Sequence, residues 1–129
     1  MVENGGDIFI KSDTGTTFTI FAGDSPFSLT TGILVGKRPD PFALCTSSGT
    51  LGHSKSFGRA DAVTVLAESC ALADAAATAL ANQIQTPNDI QAAIDIGQSI
   101  PGIQGLVMIL GKHIGLWGGL KLVRLPNPT

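Results

Sequence analysis

Residues 46–54 gather five hydroxyl side chains, two glycines and an imidazole, in the order Thr46-Ser47-Ser48-Gly49-Thr50-Leu51-Gly52-His53-Ser54. Glycines let backbone N–H groups converge on an anion, and hydroxyls add neutral donors, so this stretch suits a phosphate or pyrophosphate. It is not a Walker loop, because no Gly-Lys-Ser/Thr follows the glycines. The plainer alternative is a polar surface loop, for which such composition is common. His53 is a candidate general base or phosphate contact, since an unperturbed imidazole titrates near neutrality; the alternative is a surface histidine bonded to a neighbouring hydroxyl.

A second constellation lies downstream. Asp74 and Thr78 are four residues apart in an alanine-rich run and share one face of a helix. A carboxylate and a hydroxyl so placed offer two hard oxygens to magnesium, which keeps several waters and borrows phosphate oxygens for the rest of its shell. The alternative is an exposed aspartate beside a packed threonine. A third element, Asn4-Gly5-Gly6-Asp7, is a turn signal with a carboxylate that binds a ligand hydroxyl or only shapes the turn. His113 reads as a surface residue in a hairpin turn.

These groups must be held by a scaffold. The chain has 129 residues, 43% apolar and 14% charged, which is one globular domain with a core of its own. A net charge of −2 with scattered lysines and arginines excludes a general nucleic-acid binder. No apolar run reaches the roughly 18 residues of a membrane span, and no signal peptide is visible, so a cytoplasmic protein is expected. Cys45 and Cys70 sit in apolar surroundings and read as two buried thiols, with a disulfide between them the other option.

Strands are expected at residues 7–10, 16–21, 28–35, 42–46 and 62–67, the first two forming a hairpin. Ser69 is the expected N-cap of a helix over 71–83, with Ala71, Ala75, Ala79, Leu72 and Leu80 on its apolar face. Pro87 opens a second helix through residue 96. Apolar strands at 106–110 and 116–125, joined through Gly111-Lys112-His113, close the chain as a hairpin. The fold class is therefore α+β: a mixed or antiparallel sheet with one principal alanine-rich helix packed on it.

Taken together, Glu3-Asn4-Gly5-Gly6-Asp7-Ile8, Thr46-Ser47-Ser48-Gly49 through His53-Ser54, and Ala62-Val63-Thr64-Val65 through Ala73-Asp74-Ala75-Ala76-Ala77-Thr78-Ala79 resemble the ApbE-like superfamily, the FAD:protein FMN transferases. The likeness is nearer still to a related family of bacteria and archaea without an assigned reaction. It covers residues 3 to about 82. The resemblance implies magnesium at Asp74 and Thr78, and a flavin nucleotide site lined by Gly5, Gly6 and Asp7 together with Thr46, Ser47, Ser48 and Gly49. It also places His53 near the pyrophosphate, and implies transfer of FMN from FAD to a threonine of an acceptor protein. The alternative is a non-catalytic nucleotide- or phosphate-binding, or structural, half-domain. The Asp-Pro-Arg-Thr-Gly that usually follows the family histidine is replaced by Ser54-Lys55-Ser56-Phe57-Gly58. The family's N-terminal half has no counterpart in this sequence. The chain is thus expected to be the C-terminal half of a longer protein, and to pair with itself or with that other half.

Overall fold

The computed structural model describes residues 2–4, 7–10, 16–19, 31–36, 42–47 and 60–124. Its strands are β1 (Val2–Asn4), β2 (Asp7–Ile10), β3 (Thr16–Thr19), β4 (Thr31–Val35), β5 (Phe42–Ser47), β6 (Ala62–Ala67), β7 (Ile103–Leu110), β8 (His113–Gly118) and β9 (Leu120–Arg124). The helices are α1 (Cys70–Gln83) and α2 (Asp89–Gln98). A six-stranded sheet runs β1-β2-β5-β6-β7-β8, and a three-stranded sheet runs β3-β4-β9. Every pairing among the described strands is antiparallel, so the fold is α+β.

Three layers result, because the central strands are apolar on both faces. On one face of the large sheet, Ala43, Cys45, Val63, Val65, Leu106 and Met108 pack against α1 and α2. On the other, Phe42, Leu44, Leu66, Val107 and Ile109 meet Ile33 and Val35 of β4 and Leu120 of β9. The six residues of β6 are all buried, as a strand covered on both sides must be.

Several expectations are corrected. Asp7–Ile10 does not form a hairpin with the strand at Thr16; it pairs with β1 and β5, while β3 belongs to the other sheet. The expected strand 116–125 is two strands in different sheets, and His113 is the exposed first residue of β8. The break falls at Gly118, where φ is +94° and an added Cβ would lie 2.3 Å from the Gln104 carbonyl oxygen. Only glycine permits that backbone and that approach, and Gly119 N–H then donates to the same carbonyl at 2.9 Å.

The face of α1 also differs. Ala73, Ala76, Ala77, Leu80 and Ala81 are buried, a regular 3–4 spacing, whereas Ala71, Ala75 and Ala79 are exposed. Alanine occurs on every side of this helix, so hydrophobic periodicity carries little information there. Ser69 caps the helix as expected, its hydroxyl accepting from Leu72 N–H at 3.2 Å.

Candidate functional site

The end of β5 and the first half of α1 carry the described part of the site. Successive strand residues face opposite sides of a sheet, so Thr46 and Ser47 diverge. Thr46 is the register partner of Thr64, and the two hydroxyls lie 2.9 Å apart on the side that meets the three-stranded sheet. This pair satisfies two polar groups inside the sandwich and is a structural contact. Ser47 is the register partner of Val63, which packs under the helices. Its side chain is 7% exposed, and its Oγ is buried without a hydrogen-bond partner among the described residues. A dehydrated hydroxyl without a partner costs about 1–3 kcal/mol, which a protein tolerates most readily where a ligand or ion supplies the missing contact.

Asp7 is the register partner of Cys45, two residues from Ser47 on β5. Asp7 and Ser47 therefore lie on neighbouring strands of the large sheet, although they are far apart in sequence. Gly5, Gly6, Ser48, Gly49 and His53 lie outside the described residues, as does the Asp7 side chain.

On α1, residues 70, 74 and 78 form a stripe along the border between the buried and the solvent face. Cys70 and Thr78 are half-buried, and Asp74 is exposed. Cys45 Sγ donates to the Cys70 carbonyl at 3.7 Å, fixing the start of the helix over β5. The helix packs across β5 and β6, so Asp74 and Thr78 belong to the layer that Ser47 faces. No group of three or more His, Cys, Asp or Glu side chains that could hold a metal occurs among the described residues. Asp74 and Thr78 can thus supply part of a magnesium shell, with the remainder left to water and ligand.

A family model described as AbpE bacteria matches residues 1–115. The chain belongs to this family. A UPF0280 protein of Methanosarcina acetivorans is 40% identical over 119 residues, which are 92% of this chain and 47% of that protein. One from Methanothermobacter thermautotrophicus is 41% identical over 122 residues, covering 92% of this chain and 47% of its own length. One from Methanocella arvoryzae is 41% identical over 125 residues, 96% of this chain and 51% of the relative. The chain spans about half the length of the curated relatives it matches.

In this AbpE bacteria family member one buried carboxylate had escaped sequence reasoning. Asp61 is 9% exposed, and its Oδ2 accepts the Gly111 N–H at 2.7 Å. Its own N–H donates to Ile109 O at 2.8 Å. It ties the start of β6 to the β7–β8 turn, fifty residues away in sequence. The available signal was a carboxylate set directly before an uncharged strand, where burial obliges it to find a donor. Among the described residues no helix is long and apolar enough to cross a membrane.

Proposed function

We propose that this chain forms the phosphate-facing part of a magnesium-assisted site for a dinucleotide diphosphate of the FAD class. FMN transfer to a protein threonine is the reaction to which the complete site would be put, as the ApbE-like resemblance suggests. The observation that carries the reading is Ser47 Oγ, buried on the helix side of the sheet without a hydrogen-bond partner among the described residues. A hydroxyl in that state is a ready donor for a phosphate oxygen. Asp74 and Thr78 would hold the magnesium, as the resemblance suggests, with Asp74 exposed and Thr78 half-buried on α1. Magnesium bound there would neutralise charge on the pyrophosphate.

A second reading, a phosphate-binding module without transfer activity, is favoured by the small described donor set of one carboxylate and one hydroxyl on α1. The two readings share the binding step and diverge in chemistry.

The test is a fluorescence titration of FAD with and without magnesium. Because the chain spans half of its relatives' length, binding weaker than micromolar is expected, and it should depend on magnesium. Ser47→Ala and Asp74→Asn should each weaken it about tenfold, a loss of about 1.4 kcal/mol. Asp74→Asn should leave stability within about 0.5 kcal/mol, as for ordinary surface positions. Binding that ignores magnesium and both substitutions would overturn the site. Submicromolar binding would show that this chain alone holds the whole pocket.

A further inference from the structure

We propose that Cys45 and Cys70 are a redox couple whose oxidation joins β5 covalently to the first turn of α1. Both are thiols in the structure, Cys45 buried and Cys70 half-buried. Cys45 Sγ is aimed at Cys70 itself, donating to its carbonyl oxygen at 3.7 Å. The Cys70 side chain in turn packs against the core cluster that contains Cys45. Within a residue the carbonyl oxygen lies about 2.4 Å from the Cα, so the Cys45 sulfur is no more than about 6 Å from the Cys70 Cα.

The asymmetry in exposure sets the order of events. Cys70 is reached first from solvent. Its thiolate attacks one sulfur of a small disulfide such as oxidised glutathione, forming a mixed disulfide and releasing one glutathione thiolate. The Cys45 thiolate then attacks the Cys70 sulfur, forming the protein disulfide and releasing the second glutathione. Two protein thiols are oxidised, one glutathione disulfide is reduced to two thiols, and the two cysteine protons end on the glutathiones. The bond fixes the N-terminal end of the stripe that continues through Asp74 and Thr78, and it anchors that end to the strand that carries Ser47. Oxidation would therefore set the spacing of the two elements flanking the site.

The experiment needs no ligand. The native chain is incubated with oxidised glutathione, quenched in acid and weighed. The expected product is monomeric, has lost both titratable thiols, and is lighter by about 2 Da, the two thiol hydrogens. Proteolysis without reductant should yield one crosslinked peptide pair containing Cys45 and Cys70, which reductant separates. Cys70→Ala should leave Cys45 unmodified under native conditions. Cys45→Ala should stop at a glutathione adduct on Cys70. Two intact thiols after exposure, a persistent adduct on wild-type Cys70, or a disulfide between two chains would each overturn the proposal. Should Cys45→Ala fail to fold, the wild-type mass and peptide map decide the question by themselves.

Discussion

Replacing Ser47 by alanine should make the ligand-free protein more stable. The substitution keeps the Cβ and the strand and removes a single oxygen that is buried and has no hydrogen-bond partner among the described residues. Relief of its dehydration is worth about 1–3 kcal/mol. The opposing term is a void of roughly 12 Å³, which at about 24 cal/mol per Å³ costs about 0.3 kcal/mol. The net gain is therefore about 1–2.5 kcal/mol. In a domain of this size that raises Tm by about 3–10 °C. The assay is thermal and urea unfolding in buffer free of phosphate and magnesium, with the urea slope checked for constancy. Adding FAD and magnesium should then stabilise the wild type according to its affinity and the variant far less, so that the two curves approach each other. A variant that is equally or less stable without ligand would refute the reasoning, since it would mean that the hydroxyl already has its partner within the protein.

Thr64→Val leaves the Thr46 hydroxyl without its partner between the sheets and should cost about 1–3 kcal/mol in urea unfolding, most of it regained in the double variant Thr46→Val/Thr64→Val. Gly118→Ala forces a side chain onto a φ of +94° and onto the Gln104 carbonyl. It should cost about 2–4 kcal/mol, while Gly111→Asn, at φ +59° in open space, should be nearly neutral by the same assay. The Asp89 carboxyl is held below its ordinary value by the N–H groups of Gln85 and Thr86, and further by the Thr86 hydroxyl. Its stabilising effect is therefore full above about pH 4, where the unfolded group ionises, and is lost as pH falls through the lower folded value. Asp89→Asn should flatten the acid limb of a stability-versus-pH curve, and an unchanged acid limb would count against the cap.

Much of the scaffold was legible because its signals are local. Ser69 announced α1 through its hydroxyl, and Pro87 announced α2 as a residue suited to a helix start. The strands at Phe42 and Ala62 stood out as short apolar runs, and β7 did so from Leu106 onward, three residues after its start. Pairing was less legible, since partnership depends on contacts distant in sequence. β2 found β5 rather than β3, and the terminal strand divided at a glycine whose need for positive φ arises only from the Gln104 carbonyl facing it. The site divided in the same way. Residue types singled out Thr46 and Ser47 as one group, yet the two-residue period of the strand sends one hydroxyl into the sandwich and the other under the helices. Asp61 was passed over because its partner, Gly111 N–H, comes from a turn that the sequence places fifty positions away.

The alanine face of α1 limits which experiments can see it. Ala73, Ala76, Ala77 and Ala81 already carry the smallest side chain that a scan would install, so truncation leaves that contact untouched. At these four positions the seam between helix and sheet can be probed only by enlargement. Ala77→Val would wedge the helix away from β5 and β6 at a cost of about 1–3 kcal/mol. The same one-sidedness governs drift in the sequence: substitutions at these positions can only add bulk or give up helix propensity, so the clearance between α1 and the sheet acts as a ratchet that neutral change cannot turn.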